Sequence, residues 1–316
     1  MGYGGICGSF RKQTPARSEM AYQYTAIIPT LNASSEIDAL IDRLGKQTLP
    51  PREIIVVDSH SDDDTARRAA SHAGTRVIGI RREEFDHGGT RDMAIRACDT
   101  PFVVLLTQDA LPMDAGCMAA LLAPFGDDRV AAVCGRQVAR DDARPSERAV
   151  RAFRYPDGSR TWGGEDIPRL GMSAYLLSDV CAAYRRSSYE AVGGFVHPIA
   201  TNEDMLIAAD LLDAGYRLAY AAEARVWHSH NFSPAREYRR NRLIGCFLAR
   251  YGHRFGDAGE LGEGMRMVKS VSSRLLKEGH ILNWMAFGVN CGARFLGNRA
   301  GRRHANVAMK GVGSHE

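Results

Sequence analysis

Five short runs of β-forming residues recur through the first 140 positions, and a stretch with helical spacing or turn chemistry separates each run from the next. This alternation constrains the fold more than any other feature of the chain. The runs are Tyr24 to Pro29, Glu53 to Asp58, Arg76 to Ile80, Phe102 to Thr107 and Val130 to Arg136. After the first run, Ile37, Leu40, Ile41 and Leu44 follow i, i+3, i+4, i+7 spacing, which predicts a helix capped by Ser34 or Ser35 and ended by Gly45. Further helices are expected over Thr65 to His72, from His87 to about Cys98, and over Asp114 to Ala123. Ile54-Ile55-Val56-Val57 has no polar alternation, as expected of a strand buried on both faces. Strands joined by helices form parallel units. The reading is therefore α/β, with a Rossmann-like, mostly parallel central sheet flanked by helices. Ligands of such sheets bind beyond the carboxyl ends of the strands, where Asp58 and Asp109 stand.

Beyond this half the pattern breaks up. Asp141 to Asp179 is rich in charge, proline and glycine and reads as an irregular excursion that lines a cleft. Order returns with a strand over Val180 to Arg185, a helix over Asp204 to Leu212 stopped by Gly215, and strand-like runs Arg217 to Tyr220 and Ala224 to Trp227. After Pro234 the chain is basic and helical. The expected organisation is a flexible tail over 1–22, a domain over 23–235 with halves 23–140 and 141–235, and a helical region over 236–316.

With 45% hydrophobic and 25% charged residues, disordered and collagen-like classes are excluded. The longest unbroken run of branched aliphatic and aromatic residues, Phe102 to Leu106, is far short of the ~20 residues of a membrane span. No apolar stretch follows the charged N-terminus, so no secretory signal is read there, and Ile6 breaks the myristoylation pattern begun by Gly2. Seven cysteines with no CxxC pair read as free thiols in a reducing cytoplasm. Residues 1–235 hold 26 Lys/Arg against 31 Asp/Glu, whereas 236–316 hold 15 against 6. That basic end fits an anionic partner. Aromatic and aliphatic residues such as Phe247, Trp284 and Phe287 lie among its arginines, a mixture that fits an interfacial helix on an anionic membrane surface or a helix packed on the domain. No nucleic-acid motif accompanies the charge.

Several residues carry chemistry. Asp58, at a strand end beside Ser59 and Ser61, can accept hydrogen bonds from a base or ribose, or simply end the strand. Asp109 can hold a divalent cation or close a turn. Asn202-Glu203-Asp204 opens a helix, where acids either answer the dipole or act as a general base. His228 and His230 stand two apart at the end of a strand-like run, where either can help hold an ion or the two can pack as a plain histidine pair. Asp86 to Arg91 joins a glycine pair, a helix N-terminus and a cation, which suits a phosphate or a plain turn.

In order and spacing these segments resemble family 2 glycosyltransferases. The matching stretches are Ala26 to Asn32, Ile54 to Ser59 with Ser61 and Thr65, Ala182 to Arg186, Gly193-Gly194-Phe195, Asn202-Glu203-Asp204, Gly215-Tyr216 and Val226-Trp227-His228. The likeness spans roughly Tyr24 to Ser233. Glu84 to Asp92, Leu106 to Ala110, Gly135-Arg136-Gln137, Arg151 to Pro156 and His228 to Asn231 resemble the bacterial rhamnosyltransferases of surface-polysaccharide synthesis within it, although Arg154 stands where that group more often has Asn.

The resemblance implies a GT-A fold with a C-terminal helical extension, and an inverting transferase. The donor would be dTDP-rhamnose, with a UDP-sugar as the alternative. The acceptor would be a saccharide hydroxyl, lipid-linked, at the inner face of the cell membrane. It implies that Pro29, Thr30, Asn32, Asp58, His87, Arg91 and Gln108 bind the donor nucleotide. Asp109 and His228 would hold Mg²⁺ or Mn²⁺, with Thr107 in place of the family's first acid. Asp204 would be the base, and Glu203, Arg154, Tyr155 and His230 would face the acceptor or support the site. Two other classes remain open: a non-catalytic sugar or nucleotide binder, and a nucleotidyltransferase, whose glycine-rich loop should follow the first strand rather than the third.

Overall fold

The computed structural model describes residues 22–256 and 260–312. The expected tail, but for Tyr22, lies outside the described residues. In chain order the first half comprises β1 (Tyr24–Thr30), α1 (Ile37–Gly45), β2 (Glu53–Asp58), α2 (Thr65–Ala70), β3 (Thr75–Gly79), α3 (His87–Arg96), β4 (Phe102–Leu106), β5 (Leu111–Pro112), α4 (Cys117–Leu122) and β6 (Val130–Val138). The second half comprises α5 (Pro145–Arg154), β7 (Arg160–Trp162), α6 (Ile167–Leu170), β8 (Cys181–Arg185), α7 (Arg186–Ala191), α8 (Glu203–Asp213), β9 (Arg217–Trp227), α9 (Pro234–Tyr251), α10 (Glu260–Lys277) and α11 (Ile281–Val312).

The strands form one sheet in the order β3-β2-β1-β4-β8-β6-β9-β5, with β7 on β9. The quartet β3-β2-β1-β4 is parallel throughout, as βαβ units require. The sheet as a whole is mixed rather than mostly parallel. β8 runs against both β4 and β6, and β5 and β7 run against β9. The reason lies in the 141–179 segment, which lays β7 beside the start of β9 and then returns to the carboxyl ends, so that β8 enters from that side and runs back down between its neighbours. This reversal sets Cys181 opposite Leu106, so Ser178 and Asp179 fall beside the end of β4.

Apolar side chains from the two sheet faces make two cores. The α1 stripe, Ile37, Leu40, Ile41 and Leu44, is buried as its spacing requires, at about 1.5–3 kcal/mol for each large side chain. Its start differs from expectation: Glu36 is the N-cap, without a side-chain cap bond. Asp63 Oδ2 instead accepts from the Ser34 N–H at 3.1 Å, tying the loop to the acidic segment after β2. The 141–179 segment is more ordered than its composition implies. It holds α5, which buries only Ala149 and Val150 and so shows no apolar stripe. The two runs expected over 217–227 are one strand, with a bulge that moves the register between Gly135 and Arg136. Gly135 is needed there, since a Cβ would lie 2.7 Å from the Ala224 carbonyl oxygen.

The C-terminal helices α9 and α11 cross in backbone contact. A Cβ on Gly245, Gly297 or Gly301 would fall 2.0–2.3 Å from a carbonyl oxygen of the facing helix. Below them, Met267, Val271 and Leu275 of α10 and Phe287 of α11 pack on α5.

Candidate active site

β1, β2 and β4 end at one edge of the sheet, and the expected nucleotide residues gather there. Asp58 is buried. Its Oδ1 accepts from Ser61 Oγ at 2.5 Å and Thr30 Oγ1 at 3.3 Å, and its Oδ2 accepts from the Ser61 N–H at 3.0 Å. Asn32 has a left-handed backbone (φ 52°), donates its N–H to Ser61 Oγ, and accepts from the Asp62 N–H through Oδ1. Gln108 clasps the Leu31 backbone, its Oε1 accepting from the N–H at 2.8 Å and its Nε2 donating to the carbonyl at 3.2 Å. Pro29 sits within β1 opposite Val57. These residues shape two adjoining loops and leave part of the Asp58 carboxylate for a ligand.

Beside this edge stand Asp109, His228 and His230. β9 ends at Trp227, and the two histidines follow it at i, i+2 spacing, which keeps side chains on one side of an extended chain. Both rings turn towards Asp109 and lie edge to face at 4.6 Å. His228 Nε2 is 3.5 Å and His230 Nε2 3.4 Å from Asp109 Oδ2, and the three ligand atoms lie within 4.8 Å of one another. Two ligands each about 2.1 Å from one ion stand about 3–3.5 Å apart, so the set fits a divalent cation. His230 stands with these groups, as one of the two histidines that the sequence offers to an ion. Burial pushes His228 down to about 3 and lowers His230, leaving the neutral imidazoles that a metal needs. Burial works against the Asp109 carboxylate, but the facing imidazoles outweigh it and hold the group below its ordinary range.

Behind His228 is a polar group that sequence reasoning assigned no role. Gln137 lies buried in β6 with its Oε1 2.9 Å from His228 Nδ1. Its Nε2 donates to Tyr155 Oη at 2.7 Å and to Ser178 Oγ at 2.9 Å. Tyr155 is thus a core residue behind the site and does not face an acceptor, because the apolar side of α5 carries it inward. Arg154, one residue earlier, is exposed and makes no polar contact with the carboxylates or imidazoles of the site among the described residues. The signal for Gln137 was present in the sequence: an amide interrupting an apolar strand.

The third group surrounds the start of α8. Arg91 is 6% exposed, and its Nη1 donates to Glu203 Oε1 at 3.0 Å and to the His87 carbonyl at 2.9 Å. Its Nε stands 3.8 Å from Asp179 Oδ2, while Asp179 Oδ1 accepts from Tyr184 Oη at 2.6 Å. Arg91, expected at the donor nucleotide, and Glu203, expected at the acceptor or in support of the site, are thus brought together. Both are buried and spent on one another, because an unpaired charge at that depth is costly. His87 is half exposed, with Nδ1 3.3 Å from Arg91 Nη1 and 3.9 Å from Glu203 Oε1, and burial lowers its pKa. Asp204 is partly exposed, and its Oδ1 accepts from the Met205 N–H at 2.9 Å. Burial, then the charges of Glu203 and Asp179, push its carboxyl well above the ordinary value, against the pull of Arg91. Burial likewise raises Asp179 to about 7. Asp179 gave a weaker signal in the sequence, as an acid placed directly before an apolar strand.

Ser178 and Asp179 join the two halves. Ser178 touches the amide behind His228, and its neighbour faces the guanidinium beside Asp204. The arrangement offers a cation site, a nucleotide-sized edge and a carboxylate of raised basicity.

The chain is similar to proteins already known. The model of the family described as glycosyl transferase family 2 matches residues 25–193. The chain is 39% identical to the O-antigen chain rhamnosyltransferase RfbN of Salmonella typhimurium, over 90% of this chain and 91% of the relative. It is 40% identical to the O-antigen chain rhamnosyltransferase WbaN of Salmonella anatum, with the same coverage. The fold is similar to that of the mannosyltransferase PcManGT from Pyrobaculum calidifontis, solved with GDP-Man and Mn²⁺. The TM-score is 0.63 at 19% identity, over 89% of this chain and 88% of that one.

Proposed function

The chain belongs to glycosyl transferase family 2, and from that premise we propose that it is an inverting enzyme moving rhamnose from dTDP-rhamnose to a hydroxyl of a growing, lipid-linked bacterial polysaccharide. The two relatives of about 40% identity, each named for O-antigen rhamnosyl transfer and each aligned over nine-tenths of its length, support the sugar and the acceptor class. The observation that carries the reading is the edge-on grouping of Asp109, His228 and His230 with Asp204 across the Ser178–Asp179 turn.

The chemistry is one displacement. The acceptor oxygen forms a bond to the anomeric carbon as the bond from that carbon to the diphosphate oxygen breaks. Asp204 takes the hydroxyl proton, and its raised basicity suits that task. Arg91 and Glu203 hold the start of α8 in place rather than touching substrate. Asp58 and the Asn32 and Gln108 loops receive the nucleotide. Asp109, His228 and His230 would hold Mg²⁺ or Mn²⁺, which when bound supplies positive charge to a departing diphosphate.

The basic C-terminal region supports, in this reading, a position on the cytoplasmic membrane surface. No helix among the described residues is long and apolar enough to cross a membrane. Yet seven of the thirteen exposed large hydrophobic residues described lie on α11, led by Leu282 at 80% exposure, and no acidic residue occurs from Ile281 to Val312. Such a helix lies on an anionic bilayer rather than through it. Flotation with anionic vesicles tests this, and failure of the intact protein to float removes the membrane from the reading.

The donor is tested by thermal shift with nucleotide sugars and Mn²⁺. A ligand that binds the folded form raises the melting temperature. The expected result is a larger rise with dTDP-rhamnose than with UDP-glucose, and the reverse order overturns the rhamnose assignment.

A further inference from the structure

We propose that Gln137 is a positioning residue of the metal centre, fixing the proton of His228 on Nδ1 so that Nε2 presents its lone pair to the ion beside Asp109. The inference rests on the reading of Asp109, His228 and His230 as a cation site. It starts from what each neighbour of the amide can do. The Arg151 guanidinium contacts one amide atom of Gln137, and a guanidinium only donates, so that atom is the oxygen. The hydroxyls of Tyr155 and Ser178 then face the nitrogen, and each can accept from it. Every hydrogen-bonding direction of the amide is thereby used, and the group is 2% exposed.

The oxygen that contacts Arg151 also lies 2.9 Å from His228 Nδ1. An oxygen can only accept, so Nδ1 must carry the hydrogen. A neutral imidazole has one N–H, and Nε2 is left as a lone pair 3.5 Å from an Asp109 oxygen. Two acceptors facing each other at that distance suit a cation between them. Partners of this kind set the tautomer and orientation of ligand histidines, and their loss typically costs about 10–100-fold in metal affinity. The Arg136-Gln137 pair of the motif in β6 thus divides its labour: Arg136 reaches out to Asp157, and Gln137 turns inward to the histidine.

The test uses the intact protein and Mn²⁺ alone. Gln137→Leu should weaken Mn²⁺ binding, read by the free-ion EPR signal, by about 10–100-fold. In a His228→Ala background the same change should add nothing, since its effect passes through that ring. Long-range ¹⁵N NMR of the metal-free protein should show His228 protonated on Nδ1, and Gln137→Leu should abolish that single-tautomer signature, which a general packing defect would not do selectively. Where Gln137→Leu fails to fold, Tyr155→Phe carries the test, with weaker Mn²⁺ binding in the same direction. Mn²⁺ binding within 2-fold of the parent protein, or an unchanged His228 tautomer, overturns the assignment to Gln137. A parent protein that takes up no Mn²⁺ overturns the metal reading itself, and the proposal with it.

Discussion

Asp204→Asn should move activity and stability in opposite directions. The change keeps shape and removes basicity. Loss of a general base costs at least about 100-fold in turnover, which is about 2.7 kcal/mol of barrier at 1.36 kcal/mol per decade. Stability should rise, and the sign follows from the surroundings. Asp204 shares the single guanidinium of Arg91 with Glu203 and Asp179, and burial with those charges lifts its carboxyl above the ordinary 3.8. The folded state therefore binds a proton more tightly than the unfolded state. Stability is lost as pH rises from about 4 through the folded value, so the ionised side chain destabilises the protein at neutral pH. Asparagine removes that cost. Urea unfolding of both proteins at pH 4 and pH 7.5, beside turnover with saturating donor, measures the two effects. The expected pattern is a turnover deficit of two decades or more, equal stabilities at low pH, and a more stable variant at high pH. Near-normal turnover would remove Asp204 from the mechanism, and a variant less stable at pH 7.5 would refute the electrostatic account.

Three further outcomes are expected. Arg91→Met strands buried Glu203 and Asp179 without their cation and should cost about 3–5 kcal/mol in urea unfolding at neutral pH; a loss below 1 kcal/mol would mean that water reaches the pair. Mn²⁺ should stabilise the protein against heat more than Mg²⁺, because two of the three ligands are imidazoles; His230→Ala should narrow that difference, and equal responses in the parent protein would argue against nitrogen ligation. Gly301→Ala drives a Cβ to 2.0 Å from the Arg242 carbonyl oxygen and should cost about 1–3 kcal/mol, whereas Gly292→Ala, with open space around it, should be neutral or slightly stabilising; indistinguishable variants would rule out the close helix crossing.

What the sequence revealed and what it hid have separate physical causes. β1, β2 and β4 were legible because a strand buried on both faces must be apolar along its length. The direction of β8 was not, since an apolar run reads alike in either sense and only the path of residues 141–179 decides it. Helix α5 escaped notice because its exposed face is charged and its buried face small. The pairing of Arg91 was hidden for a different reason. A cation near a glycine pair and a helix N-terminus looks free for a phosphate, and nothing local reveals that Glu203, 112 residues later, consumes it.

The reversed strand also couples the carboxylates, and that coupling can be measured. Because β8 enters from the carboxyl-end side, Asp179 is held by Tyr184 against the far side of the same guanidinium that Glu203 engages. Three acids thus compete for one cation, and burial raises Asp179 to about 7 while Asp204 rises as well. Removing any one charge relieves the other two. Asp179→Asn should therefore stabilise the protein above neutral pH, and Asp204→Asn should add less in that background than it does alone. Independent sites add to within about 0.3–0.5 kcal/mol, so the double-mutant cycle by urea unfolding at pH 8 should show a shortfall beyond that margin. At pH 4, with both raised acids protonated in the folded state, the shortfall should vanish. Strict additivity at pH 8 would mean that the two carboxylates do not share Arg91, and the electrostatic link across the Ser178–Asp179 turn would fall with it.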